Sequence, residues 1–438
     1  MHKLTANLLL YGALPKDTIL MELSEIFRDH EEKSQPTPTL VRRTYAQIKK
    51  LLDLATEFGF DGNLWQNYLT LILMTHQNSF TLTAERAPAQ EGSVNHFAKN
   101  DFKVFLNLFH FDFSAIEKDL AIDCFSTITK YEAIEKRERC YHKNVSEKVR
   151  QLSRTLAQAS DADEFFQIIT QYYRKVGVGL LGINQAFRVQ RVKGELEFCP
   201  IHNTDSVILS DLVGYELQKE ELRQNTEAFL SGRGANNVLL YGDSGTGKSS
   251  SVKALINEYY DRGLRMIEIY KHQFGDLSEI IAQTKNRNYY FIIFIDDLSF
   301  EENEVEYKFL KAIIEGGVET KPDNILIYAT SNRRHLIRET WNDRNDMEHG
   351  GDVHRSDTME EKLSLSSRFG VQINYSTPSR AEYHAIVLAL AKRSGIVMDD
   401  DALLFQANQW ELRHGGISGR TAQQFVYYLA GTVQNPIA

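Results

Sequence analysis

The sequence predicts an α/β protein: a five-stranded parallel sheet core with a C-terminal helical lid, preceded by a mainly helical N-terminal domain. Three observations carry this. Beyond residue 205, apolar runs alternate with helical stretches, the pattern of a parallel sheet covered by helices on both faces. A glycine-rich segment, Gly242 to Ser249, stands between one apolar run and one helical pattern. Before residue 205 the spacing is mainly helical, and after Tyr375 it is helical only. The expected division is therefore 1–205, 206–376 and 377–438.

In the first region, Asp17 to Arg28 is amphipathic, and the proline-interrupted stretch Ser34 to Thr39 breaks it. Leu40 to Phe58 and Trp65 to Leu73 show helical spacing. Ala84 to His96, with Pro88 and Gly92, predicts an exposed loop. Phe97 to Phe113 carries a phenylalanine stripe that reads as helix core. The run Lys136 to Arg139 contains Glu138 and reads as a solvated helix face. Gly177 to Gly182 has the G-x-G-x-x-G spacing, but a helical stretch, Phe165 to Lys175, precedes it where a strand is needed. A flexible turn is expected there.

In the second region the expected strands are Val238–Tyr241, Arg265–Tyr270, Tyr289–Ile295, Asn324–Ala329 and Val371–Tyr375. The expected lid helices are Ser379–Lys392, Asp400–Leu412 and Arg420–Ala430.

Composition narrows the function classes. A chain of 438 residues with 42% hydrophobic and 25% charged residues is ordinary for a globular protein of two or three domains. A net charge of −9 argues against a broad nucleic-acid or membrane surface. The three cysteines form no C-x-x-C pair, so neither a zinc site nor a disulfide framework is indicated. That usage fits a reducing cytoplasm. No apolar run approaches the roughly 18 residues of a membrane helix.

Gly242-Asp243-Ser244-Gly245-Thr246-Gly247-Lys248-Ser249 matches G-x-x-x-x-G-K-[ST] at every required position. Glycines let several N–H groups turn toward one phosphate, and the following helix adds its N-terminal partial charge. Lys248 is expected on the β- and γ-phosphates and Ser249 on Mg²⁺. Phe291 to Asp297 is a buried strand ending in two carboxylates, of which Asp296 is expected to support Mg²⁺ and Asp297 to orient the attacking water. Asn332 ends the next strand, where its amide fits a γ-phosphate or water contact and equally a turn or helix cap. Arg368, in Ser367-Arg368-Phe369, fits an arginine finger or a surface ion pair. Arg420 follows Gly415-Gly416-Ile417-Ser418-Gly419 at a helix start, with Ser418 as cap. His349 and His354 lie in a polar loop, Trp341 to Thr358, at a spacing that fits no metal motif.

The ordered set resembles an AAA+ ATPase. Segment by segment it is similar to a bacterial AAA+ family of uncharacterised ATP-binding proteins, known as a domain of unknown function. The resemblance runs over about residues 200–435 and is carried by Asp211 to Glu216, Tyr241 to Ser250, Phe294 to Phe300, Tyr328 to Leu336, Leu363 to Gly370 and Ser418 to Phe425. It implies that Val213, Gly214 and Tyr215 border an adenine, and that the loop from Gly242 to Ser250 holds the phosphates. It also implies Asn332 as first sensor, Arg368 as finger and Arg420 as second sensor, with ATP and Mg²⁺ as cofactors. One position departs from the pattern: the usual catalytic Glu is Asp297. Asp is one methylene shorter, and a displacement of about 1 Å can cost on the order of 10² in rate; Glu301 or Glu302 could serve instead.

Three readings follow. The first is a homo-oligomeric ATPase that remodels a macromolecular partner, expected to be a protein. The second is an ATP-gated scaffold with little turnover, motivated by Asp297. The third is a helicase-loader-like nucleic-acid factor, motivated only by Arg333, Arg334, His335 and Arg338. The N-terminal domain is the expected place of partner recognition.

Overall fold

The computed structural model describes residues 1–86, 92–133, 143–202, 204, 207–301, 304, 306–315, 322–334, 336 and 365–432. They form two compact units, Met1–Asn184 and Gln185–Ala438.

The first unit is helical: α1 (His2–Thr5), α2 (Ile19–Glu31), α3 (Thr37–Phe58), α4 (Leu64–Thr75), α5 (Ser79–Arg86) and α6 (Ser93–Phe109), then α7 (Ser114–Leu120), α8 (Cys124–Ile128), α9 (Lys143–Ala157), α10 (Ala162–Lys175) and α11 (Leu180–Ile183). Most of the phenylalanine stripe is core, as its spacing predicts: Phe102, Phe105, Phe109 and Phe113 are buried with Leu69, Leu73 and Phe165, whereas Phe97 at its start is exposed and Phe111 only partly buried. The buried Asp101 carboxylate accepts the N–H groups of Leu9, Leu10 and Tyr11 at 2.8–3.2 Å, which fixes the turn before α2.

Two expectations need correction here. The loop expected over 84–96 is shorter, because α5 continues through Arg86 with Ala84 and Glu85 buried, and α6 starts at Ser93. The Gly177 to Gly182 segment is a turn after a helix, but it is packed in place. Val178 is buried and donates its N–H to the Glu85 carboxylate at 3.2 Å. A Cβ on Gly179 would lie 2.1 Å from the Gln77 amide nitrogen. Cys140 and Lys136 to Arg139 lie outside the described residues.

The second unit opens with a hairpin, β1 (Ala186–Val192) and β2 (Glu195–Pro200). It continues through α12 (Glu216–Leu230), β3 (Val238–Gly242), α13 (Lys248–Tyr259), β4 (Leu264–Ile269), α14 (Leu277–Thr284), β5 (Tyr290–Ile295), α15 (Glu306–Glu315), β6 (Ile325–Ser331) and β7 (Val371–Tyr375). The sheet has seven strands in the order β2-β1-β4-β5-β6-β3-β7, and every pairing is parallel except β1 with β2. The five expected strands are present as β3 to β7, and two more extend the β4 edge. The helical N-terminal region therefore ends at Asn184 and not at residue 205. The hairpin has a local cause. Lys193 and Gly194 both take positive φ, 52° and 91°, the two-residue turn whose twist suits antiparallel strands.

Burial on both faces explains the apolar runs: all seven residues of β6 are buried. Strand β6 lies between β3, which feeds the glycine loop, and β5, which ends in the aspartates. Three helices complete the unit: α16 (Arg380–Arg393), α17 (Asp400–Arg413) and α18 (Gly419–Thr432). They share their own core around Tyr383, Val387, Leu403, Phe425 and Val426. Ser379 caps α16 reciprocally with Glu382, which fixes where the cluster begins. Among the described residues, no helix is long and apolar enough to cross a membrane.

Candidate functional site

The glycine loop leaves β3 at Gly242, whose φ of 134° and tight approach to β7 exclude a side chain: a Cβ there would lie 2.1 Å from the Tyr375 carbonyl oxygen. Gly245 and Gly247 also take positive φ, and α13 starts at Lys248. The result is a loop whose N–H groups precede a three-turn helix N-terminus, a ready anion cradle. Lys248 is 6% exposed, and its Nζ donates to the Gly242 carbonyl at 2.9 Å, the Asp243 carbonyl at 2.5 Å and the Asn332 Oδ1 at 3.1 Å. Burial lowers the Lys248 pKa from its ordinary value, Asp243, Asp297 and Asp296 oppose that, and Arg420 adds to it.

The carboxylates stand at the end of β5, beside the end of β6. Ser249 Oγ donates to Asp296 Oδ1 at 2.5 Å, and Thr330 Oγ1 donates to the same oxygen at 2.6 Å. Lys253 Nζ lies 3.9 Å from Asp296 Oδ2. Asp297 takes a left-handed backbone with φ of 54°, and its N–H donates to Thr330 Oγ1 at 3.0 Å. Its carboxylate accepts the Asn332 amide at 2.8 Å. Asn332 thus bridges Lys248 and Asp297, two groups of opposite charge.

The helical cluster closes the site. The Arg420 N–H donates to the Gly245 carbonyl at 3.1 Å, and its guanidinium lies 3.4 Å from Ser244 Oγ. A Cβ on Gly245 would be a tight fit, 3.1 Å from both Arg420 Cβ and Ser418 Oγ. At the far end, Tyr215 stacks on Tyr375 with ring centroids 5.0 Å apart and donates its hydroxyl to the Ser376 carbonyl at 2.7 Å. Arg393 of α16 pairs with Asp211 at 3.2 Å.

Val213, Gly214, Tyr215, Ser244 to Ser250, Asp296, Asp297, Asn332 and Arg420 line one cleft of about 890 Å³. Gly242 and Asp243 do not line it but offer their carbonyls to Lys248. Arg368 does not line it: that residue follows a short turn, half-buried, just before β7. Glu302, His335, Arg338, His349 and His354 lie outside the described residues. Thr330 and Lys219 escaped the sequence reading. Lys219 is buried at the cleft wall and donates to the Leu212 carbonyl at 2.6 Å. A threonine inside an apolar run reads as ordinary strand propensity, so nothing in its local pattern marks Thr330.

The donors fit a magnesium nucleotide. Cationic Lys248 and Arg420 flank the loop, and the hard oxygens of Ser249 and Asp296 meet at one point. Among the described residues there is no cluster of three or more His, Cys, Asp or Glu that could hold a metal ion by protein ligands alone. A cation here would need ligands besides the protein, as Mg²⁺ finds in phosphates and water.

Asp243 does not face the cleft with its carboxylate. It accepts the Thr377 N–H and hydroxyl, both at 2.7 Å, and so ties the loop to the segment leading into α16. Those two bonds lower the Asp243 pKa from its ordinary value. A depressed carboxylate contributes stability above its unfolded pKa of about 3.9 and loses it as pH falls through the folded value. Asp243→Asn is expected to speed exchange of the Thr377 amide roughly three- to tenfold at neutral pH, the group being largely solvated. Wild type should lose the same protection only below the ordinary carboxylate range, after correction for intrinsic exchange, and the variant should show no such step.

A family model described as "Protein of unknown function (DUF815)" matches residues 183–433. No curated protein matches. Two solved variants of RuvB from Thermotoga maritima are 18% and 17% identical, each with a TM-score of 0.36, covering 50% of this chain and 63% of that chain. The Thermotoga maritima RuvB Holliday junction branch migration motor is 16% identical with a TM-score of 0.33, covering 51% of this chain and 72% of that chain. The chain thus spans about 63% of the length of the first two. The family match, by contrast, takes in more than half of this chain and the entire cleft, and the chain belongs to the DUF815 family.

Proposed function

We propose that this protein is an AAA+ ATPase that binds ATP with Mg²⁺, works as a homo-oligomer in the cytoplasm and uses the ATP cycle to remodel a protein partner. One observation carries the reading: the glycine loop, the Ser249–Asp296 pair, the Asn332–Asp297 pair and Arg420 converge on one cleft although they are dispersed over more than 170 residues.

The geometry supports the following roles. The loop amides and the α13 N-terminus bind the phosphates, and Lys248 exchanges its carbonyl partners for β- and γ-oxygens. Ser249 and Asp296 would hold Mg²⁺, which would supply charge neutralisation to the phosphates. Asp297, oriented by Asn332, positions the attacking water and takes its proton. Arg420 joins the loop to α18, so phosphate contacts act directly on the three-helix lid. Val213 and Tyr215 border the adenine. The unit Met1–Asn184 recognises the partner.

The short arm of Asp297 favours a second reading, an ATP-gated scaffold with slow turnover. Binding of ATP with and without Mg²⁺, and ATP hydrolysis against protein concentration, separate the two. Specific activity that rises with concentration supports the oligomeric ATPase. Tight Mg²⁺-dependent binding with negligible turnover at every concentration supports the scaffold. Failure to bind ATP overturns both.

A further inference from the structure

We infer that Thr330 is a positioning residue that sets both aspartates of the cleft, holding Asp296 for the metal and locking the left-handed backbone of Asp297. The inference rests on the reading of the cleft as a nucleotide and Mg²⁺ site and adds to it a residue outside the loop and sensor motifs. Thr330 lies in β6, 1% exposed, paired with Leu240 of β3 on one side and flanked by β5 on the other.

Its hydroxyl serves both aspartates. It donates to Asp296 Oδ1 at 2.6 Å and accepts the Asp297 N–H at 3.0 Å. The Thr330 carbonyl accepts the Leu298 N–H at 2.7 Å. One residue therefore holds the chain at three successive positions, and Asp297 sits in the middle with φ of 54°. A non-glycine residue in that region is uncommon and persists only where neighbours over-determine it. Here the neighbour is Thr330.

Asp296 Oδ1 accepts two hydroxyls, from Ser249 and from Thr330. Ser249 stands at the loop and is the one that turns to a metal. The metal would take a lone pair of Ser249 Oγ while the Ser249 proton stays on Asp296, and Thr330, buried in β6, holds the same carboxylate oxygen from the strand side, with Lys253 Nζ 3.9 Å from the other oxygen. Asn332 cannot substitute, because its side chain is engaged with Lys248 and Asp297. A residue that orients a metal-holding carboxylate is typically worth 10- to 100-fold in metal affinity or activity.

The test compares Thr330→Val, which keeps the shape and removes the hydroxyl, with Thr330→Ser, which keeps the hydroxyl. Mn²⁺ is titrated by electron paramagnetic resonance into full-length protein saturated with a non-hydrolysable ATP analogue, and metal-free ATP affinity is measured beside it. The Val variant should bind Mn²⁺ roughly 10- to 100-fold more weakly with metal-free ATP affinity unchanged, and the Ser variant should match wild type. Should a melt show the Val variant unfolded, Thr330→Ala is read in the same way. Wild-type Mn²⁺ affinity in a folded Val or Ala variant overturns the inference and leaves the nucleotide reading standing. Wild type that binds neither ATP nor Mn²⁺ overturns the nucleotide reading, and the inference with it.

Discussion

Lys248→Ala is expected to weaken ATP binding roughly 10- to 100-fold and to remove measurable turnover, while leaving the fold intact. The wild-type ammonium is buried under the loop with carbonyl partners at 2.9 Å and 2.5 Å, and no carboxylate lies within ion-pair distance among the described residues. It waits for an anion. Burial already lowers its pKa, so the charged form is less favourable in the fold than in the unfolded chain. Removing it therefore costs little stability, and the ligand-free variant should melt within a few degrees of wild type. The ligand effect is where the two part. ATP at 100 times its Kd stabilises a protein by about 2.7 kcal/mol, and a 100-fold weaker site leaves about 0.4 kcal/mol at the same concentration. Thermal melts with and without Mg-ATP measure this directly. A variant whose melting temperature still rises with ATP as wild type does would place the phosphates elsewhere and overturn the reading of the loop.

The loop and its neighbouring strands were legible because their signals are local. Gly242 to Ser249 states its conformation in eight consecutive residues, and β3 to β7 are apolar runs whose burial on both faces leaves no polar alternation to confuse them. The three C-terminal helices were legible for the same reason. The hairpin β1–β2 was missed because an outer antiparallel strand carries a mixed pattern, Arg188, Gln190 and Arg191 among apolar residues, which resembles the helical stretches before it. Its one local marker was Lys193-Gly194. Within the site, the residue types were legible and their pairings were not. Ser249 meets Asp296 across 47 positions, and Asp243 meets Thr377 across 134. Neither pairing leaves a trace in local spacing. Strand order creates them: β7 beside β3 brings Thr377 to Asp243, and β6, threaded between β3 and β5, brings Thr330 and Asn332 to both the loop and the aspartates. Asp297 shows the limit of reading a side chain alone. Its reach is set by a left-handed backbone, and that backbone is set by a hydroxyl on another strand.

Arg368→Ala is expected to leave ATP affinity unchanged and to lower turnover by about 10³-fold, the lower end of what an arginine finger is worth. The reasoning starts from where the residue is. Every other expected site residue lines the cleft or, as Gly242 and Asp243 do, bonds to Lys248 within it, and Arg368 does neither. If it contributes to hydrolysis, it does so in the cleft of a second copy. That separates its signature from that of Lys248, whose loss acts on binding within one chain. Mixing makes the distinction sharp. Arg368→Ala chains keep an intact nucleotide site and lack the arginine, whereas Lys248→Ala chains keep the arginine and lack the site. Neither should turn over ATP alone. Mixed, each pair in which a Lys248→Ala chain presents Arg368 to an Arg368→Ala cleft regains a complete centre, so activity should return as a function of mixing ratio. Mixtures that stay inactive, with both variants folded and the Arg368→Ala chain still binding ATP, would assign Arg368 to its own chain's stability. An Arg368→Ala chain with wild-type turnover would remove the finger altogether and, with it, the strongest reason to expect a shared active site.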